Sequence, residues 1–123
     1  MSEAIAHIDD PVVAIAINRS YRDGMNQQDL YDRTSGTWKI SKTRADKARY
    51  AFAVYRGVIQ EVYEISAWSP SGSTECTRQL GPNRNDGRFE FYGRLAPDNI
   101  RDKYRGKRLP DRFYGNPIRY YNC

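Results

Sequence analysis

Aromatic rings and arginines are the side chains in this chain whose types could do recognisable chemistry. The 123 residues include 10 Tyr, 4 Phe, 2 Trp and 15 Arg. The formal net charge is +5, from 20 Lys and Arg against 15 Asp and Glu. Rings stack on bases and guanidinium groups bind phosphate in a planar, bidentate way, so this composition is typical of a nucleic-acid-binding surface. A solvated basic face that keeps a protein soluble has the same composition, and both interpretations stay open at this point.

Residues that serve metal or nucleophilic chemistry are scarce. The single histidine is His7, and the two cysteines are Cys76 and Cys123. Zinc sites built from Cys and His need three or four ligands at close spacing, and a Ser–His or Cys–His pair would depend on His7. We therefore expect no metal and no cofactor, and we expect both thiols to be reduced.

Three glutamates fall on predicted strands, where two of them could meet as a general acid and base. They are Glu61, Glu64 and Glu90. In a chain so rich in arginine, strand glutamates are more often ion-paired than catalytic. We therefore predict that the protein is not an enzyme.

Membrane and export signals are not evident in the sequence. The longest apolar run, Val12 to Ile17, is far shorter than the roughly 20 residues of a membrane helix. No basic segment followed by an apolar stretch opens the chain, as a secretory signal would. The sequence therefore predicts a cytoplasmic protein with no membrane partner.

Positive charge is concentrated in the later part of the chain. Residues 1–40 carry a formal charge of −2, whereas residues 41–123 carry +7. The segment 42–49 is predicted as a basic helix with Ser41 as its N-cap, and Lys42 and Arg49 would share one face. Such a stripe can follow a phosphate backbone, or it can be an ordinary solvated helix face.

Hydrophobic patterning predicts a small α+β domain. The predicted strands are 12–17, 50–55, 58–65, 88–92 and 117–121, and the predicted helices are 27–33, 42–49 and a third from Pro97 to before Gly106. Residues 69–87, rich in Ser, Gly, Pro, Asn and Asp, are predicted as an exposed loop. This order favours a small, mostly antiparallel, partly closed β-barrel with two to three short helices packed on it. Residues 1–11 would form a flexible N-terminal segment and 12–123 a single domain.

The layout resembles the PUA-like superfamily, with its EVE, YTH and ASCH branches. The resemblance rests on a first strand that ends in Ile17-Asn18-Arg19-Ser20, on Trp38 after the first helix, and on the hairpin 50–65. Segments 53–59, 87–91 and 116–120 are also similar to small bacterial proteins and to accessory domains beside GIY-YIG or HNH nucleases. The resemblance implies a barrel with a cleft that holds a nucleobase, often a modified one.

The same resemblance implies an aromatic cage for that base. Trp38 matches the tryptophan that follows the first helix in the family, although an indole there could also plug one end of the barrel. The second aromatic is left open among Trp68, Tyr55 and Tyr63. Trp68 could instead cap the strand on which it lies.

A polar group that reads the base edge would follow the first strand. In the EVE branch a Lys-Ser-Glu-Pro stretch stands there, whereas this chain has Asn18, Arg19, Ser20 and Tyr21. Tyr21 and Arg22 could stack on a base and clamp a phosphate, or they could form an ordinary turn. The amide of Asn18 could meet a base edge or a neighbouring backbone group.

Together these features predict a non-catalytic module that holds an unpaired or modified base of DNA or RNA in an aromatic cleft. The predicted base-binding residues are Trp38, Asn18, Ser20, Tyr21, Tyr55 and Trp68, and the predicted phosphate-binding residues are Arg22, Lys39, Lys42, Arg44, Arg49 and Arg119. A nuclease or another nucleic-acid-processing protein is the expected protein partner. The alternative is a small basic interaction factor of phage or mobile-element origin that blocks such a partner. A pocket for a free nucleotide is a third interpretation.

Overall fold

A computed structural model describes residues 4–18, 24–70, 88–111, 113 and 116–123. Within these residues the chain has an α+β fold, as predicted. The elements are β1 (Val12–Ala16), α1 (Gln27–Ser35), β2 (Gly36–Lys39), α2 (Lys42–Ala45), β3 (Tyr50–Tyr55), β4 (Val58–Pro70), β5 (Arg88–Leu95), α3 (Asp98–Tyr104) and β6 (Ile118–Tyr121).

The strands form one sheet in the order β2-β5-β4-β3-β1-β6. β1 and β3 are parallel, and the other neighbouring pairs are antiparallel. The sheet curls until its two edges approach each other, and the hydroxyl of Tyr120 in β6 accepts a hydrogen bond from the backbone N–H of Ser41, just after β2, at 2.8 Å. The predicted small, partly closed barrel with helices is therefore confirmed.

The first strand shows why the core has two sides. Its β-branched and small side chains alternate between the faces of the sheet, and Val12 to Ile15 are fully buried. Val13 and Ile15 belong to a cluster inside the barrel, which α1 and α2 cover. Val12 and Ala14 belong to a second cluster, which α3 covers through Tyr104. Because both faces are covered, this strand is a continuous apolar run.

Aromatic rings fill the interior of the barrel. The ring of Phe91 lies 5.3 Å from that of Trp68 and 5.8 Å from that of Tyr31, both in edge-to-face contacts. The small side chains of Ala51 and Ala53 face the same interior. Large rings and small side chains therefore complement each other inside the barrel.

Two elements near Trp38 differ from the sequence-based prediction. The strand β2 was not predicted, and it forms because Gly36 to Lys39 pair with β5. The helix α2 ends at Ala45, not at Arg49, so the predicted helix face shared by Lys42 and Arg49 was wrong. The strand β4 continues to Pro70, and residues 71–87 of the predicted loop lie outside the described residues.

The described part of the N-terminal segment lies against the sheet. Ala6 is buried, and its backbone N–H donates to the carbonyl of Arg108 at 2.8 Å. Lys103 of α3 forms ion pairs with Asp9 and Asp10. These contacts position the segment, whereas the predicted flexibility concerns motion and stays a prediction.

Candidate nucleic-acid interface

A basic surface lies at the end of the sheet where β3 begins, and we call it the α2 surface. It consists of five exposed side chains, namely Lys39, Lys42, Arg44, Lys47 and Arg49. The local sequence explains their exposure. The hydroxyl of Ser41 caps α2 by accepting from the N–H of Arg44 at 3.4 Å, and Ala45 and Ala48 are buried. The small alanines anchor the segment, and the long basic side chains before, between and after them face outward.

Acidic partners on the α2 surface are fewer than the cations. Lys42 pairs with Asp46 at 2.8 Å, and Arg49 lies 4.0 Å from Glu64. Lys39 stands opposite Arg88 in the β2–β5 ladder, so two cations are neighbours there. In the described part of the chain, the cations of this surface therefore outnumber its acidic side chains.

Arg44 is held in place without a carboxylate side chain. Its Nε donates to the main-chain oxygen of Cys123 at 2.9 Å, and its guanidinium carbon lies 4.2 Å from the centre of the Tyr120 ring. The Tyr120 hydroxyl is itself fixed by its hydrogen bond from Ser41. The result is an exposed guanidinium stacked on a ring, and guanidinium groups bind phosphate through their planar fork of N–H donors.

Trp38 lies in β2 beside the α2 surface and is partly buried. Its indole Nε1 donates to the carbonyl of Thr34 at 2.8 Å, and the ring packs against the interior cluster of the barrel. The indole is therefore fixed in orientation by its own backbone neighbour in α1. Trp38 as a residue is partly exposed, and the exposed Lys39 follows it along the chain.

Trp68 is a core residue with 6% of its surface exposed. Its ring packs edge-to-face on Phe91 inside the barrel, and its Nε1 has no hydrogen-bond partner in the described part of the chain. Little of this ring is available to a base, unlike that of Trp38.

A cleft of about 510 Å³ lies at the opposite end of β3, beside the turn to β4. We call it the hairpin cleft. It is lined by Ile5, Asn18, Arg56, Gly57, Arg108, Leu109, Pro110, Asp111 and Phe113. Its volume lies within the roughly 300–1,000 Å³ that small-molecule sites occupy.

The β3–β4 turn is unusual because an arginine occupies a left-handed position. Arg56 has φ +50° and Gly57 has φ +81°, which is the sign pattern of a type I′ hairpin turn. Glycine, asparagine and aspartate adopt this conformation at little cost, whereas a long side chain does so with strain.

Two side chains from distant parts of the chain hold this turn. The Oδ1 of Asn18 accepts from the backbone N–H of Arg56 at 2.8 Å, and Nη1 of Arg108 donates to the Arg56 carbonyl at 3.3 Å. A Cβ on Gly57 would lie only 2.9 Å from that Nη1 atom. Asn18 thus meets a neighbouring backbone group, and its Nδ2 amino group is the part of the side chain that could donate to a ligand.

The predicted site residues are divided between the two ends of β3. Asn18 lines the hairpin cleft, and Tyr55, whose ring centre is 5.2 Å from the guanidinium carbon of Arg56, lies at the same end of β3. Trp38 lies at the other end, together with the predicted phosphate-binding residues Lys39, Lys42, Arg44 and Arg49. A six-residue strand separates the ends by roughly 20 Å. Arg119 lies on β6 and pairs with Asp111 of the cleft at 3.6 Å. Ser20, Tyr21 and Arg22 lie outside the described residues.

A buried carboxylate forms the strongest charge network in the described chain. Glu61 is 1% exposed, and it accepts from Nε and Nη2 of Arg101 at 2.8 and 3.0 Å and from Gln27 at 3.1 Å. Arg105 lies 3.5 Å away. Burial raises the pKa of Glu61, but the hydrogen bonds from Arg101, the Val62 N–H and Gln27 outweigh it, so the pKa lies below its ordinary value. We call this group the Glu61 network.

The ion pairing predicted for strand glutamates is found at two positions. Glu61 pairs with Arg101, and Glu64 pairs with Arg94 at 3.1 Å. A carboxylate held by two arginines is a poor general base because its proton affinity is lowered.

His7 is exposed. In residues 4–18, 24–70, 88–111, 113 and 116–123, no group of three or more His, Cys, Asp and Glu side chains is placed to hold a metal ion. None of the helices described has the length and apolar character needed to cross a bilayer.

Sequence reasoning missed Arg56, Arg108 and Phe113 as residues of one cleft. One signal was present, because arginine stands before glycine at a predicted tight turn, where asparagine is the usual residue. No protein-family model, no curated protein and no solved structure matches the chain. The placement and chemistry of these side chains therefore carry the functional argument.

Proposed function

We propose that the protein is a non-catalytic nucleic-acid-binding module that takes single-stranded or unpaired segments, with the phosphate backbone on the α2 surface. The observation that supports this proposal most directly is the excess of positive charge on the α2 surface. Five exposed cations stand against Asp46 and Glu64 as acidic partners among the described residues. Release of counterions from the strand would supply most of the binding free energy.

Trp38 supports the choice of an unpaired strand. A base stacked on an aromatic ring contributes on the order of 1–3 kcal/mol and needs no particular sequence. A base inside a duplex must first be unstacked at a cost of a few kcal/mol, so unpaired or modified bases are the favoured ligands. The partly exposed indole beside Lys39 is where such a base would stack.

The architecture supports a PUA-like assignment as part of the same proposal. A nearly closed six-stranded sheet with three short helices is what the resemblance implies, and Trp38 follows α1 as the resemblance expects. This support concerns the order of the strands and helices, and the binding of a strand is tested independently of it.

Salt dependence is the primary test of the backbone contacts. Fluorescence anisotropy of labelled single-stranded DNA and RNA should show binding at 50 mM salt that weakens at 200 mM. The double variant Lys39→Gln/Lys47→Gln should lower the magnitude of the slope of log K against log salt by about 1.4, or about 0.7 for each contact. The matched control Arg33→Gln/Lys107→Gln removes the same charge outside the α2 surface and should keep the slope.

The two tryptophans allow a separate test of base stacking. In the Trp68→Phe variant Trp38 is the sole indole, and strand binding should quench its emission. In the Trp38→Phe variant the buried Trp68 remains, and strand binding should leave its emission unchanged. Quenching in the second variant alone would contradict stacking on Trp38.

A negative result in the titrations of labelled strands would favour a different function. If neither strand binds at 50 mM salt, the proposal is wrong, and the α2 surface is then better explained as a contact for an acidic protein. Stoichiometric co-purification of a protein without absorbance from nucleic acid would favour that alternative.

A further inference from the structure

The hairpin cleft joins three segments that are distant in sequence. The backbone of Arg108 bridges Ile5 on one side and Val58 on the other, and the N–H of Leu109 donates to the carbonyl of Gly57 at 2.8 Å. The N–H of Arg108 donates to the carbonyl of Ala4, also at 2.8 Å. These backbone bonds fix the floor of the cleft before any ligand arrives, which lowers the entropy cost of binding.

Charge in the cleft favours an anion. Among the described residues that line it, Arg56 and Arg108 are cations and Asp111 is a carboxylate. The Asp111 carboxylate lies 3.6 Å from a guanidinium nitrogen of Arg119. An arginine fork binds phosphate oxygens bidentately, and two such groups at one site match a phosphate with a double charge.

The strained turn points the same way. Arg56 keeps φ +50° although asparagine or glycine would relieve the strain, and both its N–H and its carbonyl are held by side chains. Strain that the surroundings maintain is concentrated at ligand-binding positions. The side chain of Arg56 is exposed at the cleft and reaches over the ring of Tyr55.

The remaining lining suits the flat part of a nucleotide. Phe113 is half-buried and presents a ring, Ile5 and Leu109 add apolar surface, and the Nδ2 of Asn18 is a hydrogen-bond donor. An aromatic ring stacks on any base, and apolar neighbours exclude water from the stack. A cleft of about 510 Å³ has room for one nucleotide.

We infer that the hairpin cleft binds the terminal phosphate of a nucleotide, with Arg56 and Arg108 on the phosphate and Phe113 against the base. A phosphomonoester carries about −1.5 to −2 charges at pH 7, whereas an internal phosphodiester carries a single charge, so a strand end is preferred over the strand interior. This inference extends the proposed function, because the strand whose backbone lies on the α2 surface would supply the end. A free nucleoside monophosphate presents the same chemistry.

The test compares strands that differ only at their ends. The 5′-phosphorylated, 3′-phosphorylated and unphosphorylated forms of one oligonucleotide are titrated at 50 mM salt, with a nucleoside 5′-monophosphate and inorganic phosphate as competitors. One phosphorylated form should bind about tenfold more tightly than the unphosphorylated form, as one additional charge-assisted hydrogen bond provides. Competition by the monophosphate would identify the free nucleotide as a second source of the ligand. Equal affinities for all three strands would overturn the inference.

The variant Arg56→Asn separates binding from folding. Asparagine suits the left-handed position, so the melting temperature should stay equal or rise, while the preference for a phosphorylated end should disappear. Lys107→Gln, beside Arg108 in sequence but outside the cleft lining, is the matched control and should keep the preference. Retention of the preference in Arg56→Asn would overturn the inference.

The outcomes distinguish this inference from the proposed function. If strand binding depends on Lys39 and Lys47 but is the same for phosphorylated and unphosphorylated ends, the proposed function of the α2 surface stands and the inference about the hairpin cleft is wrong. If the monophosphate raises the melting temperature, Arg56→Asn abolishes that rise and no strand binds, the inference about the hairpin cleft stands and the proposed function of the α2 surface is wrong.

Discussion

Arg44 and Arg101 both lie on short helices, yet their surroundings differ in kind. The side chain of Arg101 is 18% exposed, and its guanidinium donates two hydrogen bonds to the buried carboxylate of Glu61. Arg44 is exposed, stacks on the ring of Tyr120 and donates to the main-chain oxygen of Cys123. Arg101 is therefore paired with a buried carboxylate side chain, whereas the guanidinium of Arg44 faces solvent.

The comparison of the Glu61 network with the α2 surface shows what locates a binding site in a basic protein. Both regions are rich in cations, so the number of arginines does not distinguish them. The placement of carboxylates distinguishes the two regions, since a buried carboxylate pairs strongly with neighbouring cations and an exposed carboxylate pairs only weakly. Substitutions in the Glu61 network should therefore change stability, whereas substitutions on the α2 surface should change binding.

Replacement of Glu61 by alanine should destabilise the protein strongly without weakening strand binding. It leaves Arg101 partly buried with its main counter-ion removed, and such a loss costs about 3–5 kcal/mol. Urea denaturation measures the free energy of unfolding. Glu64→Ala is the control on the same strand: its partner Arg94 is 79% exposed, and the expected cost is about 1 kcal/mol or less. Similar costs at the two positions would remove the distinction between the regions.

Acid should weaken the Glu61 network in a defined range of pH. The pKa of Glu61 in the folded protein lies below its ordinary value of 4.5. A group with a lowered folded pKa contributes stability that is present above the unfolded pKa and is lost as the pH falls through the folded one. The contribution should therefore be constant from pH 7 to about 5 and decline below 4.5. Thermal midpoints of the wild type and of Glu61→Gln should converge as the pH falls further below 4.5, and parallel curves would contradict this assignment.

Substitutions on the α2 surface should act mainly on strand binding and only slightly on the free energy of unfolding. Arg44→Gln should lower the magnitude of the salt slope for a single strand by about 0.7, the share of one phosphate contact. Arg44→Lys keeps the charge and should keep the slope, but it loses the planar stack on Tyr120, which is worth about 0.5–1 kcal/mol of stability. Anisotropy titrations and urea denaturation of both variants measure the two effects. A slope lost in both variants would show that geometry, not charge, dominates at Arg44.

The sequence predicted the parts of the fold that local patterns determine. The apolar run of β1, the hairpin of β3 and β4, and the helix α3 that begins after Pro97 all follow from periodicity and turn residues close in sequence. The strand β2 could not be predicted, because four residues around Trp38 show no alternation and become a strand by pairing with β5. The end of α2 was also missed, since the N–H of Arg49 bonds to the carbonyl of Pro11, a contact between distant segments.

The candidate sites follow the same division. The α2 surface could be predicted because its cations are close together in sequence, between Lys39 and Arg49. The hairpin cleft could not, because Arg108 reaches the turn at Arg56 across 52 positions, and that approach depends on the backbone bridge between Arg108 and Val58 at the start of β4. Which arginines are neutralised is likewise a tertiary property, since Glu61 and Arg101 are 40 positions apart.

The smallest predicted effect concerns the exposed pair of Lys42 and Asp46. Both side chains are nearly half exposed, so Asp46→Asn should change the free energy of unfolding by no more than about 0.5 kcal/mol. The same change releases Lys42 from its carboxylate, and strand binding at 50 mM salt should therefore tighten by about two- to threefold. Asp102→Asn, an equal charge change on α3, serves as the control and should tighten binding less. The exposed carboxylate of Asp46 would thus weaken strand binding slightly, whereas the buried Glu61 keeps its arginine partners from binding a strand at all. Equal gains in affinity for Asp46→Asn and Asp102→Asn would mean that net charge, and not local pairing, governs binding at the α2 surface.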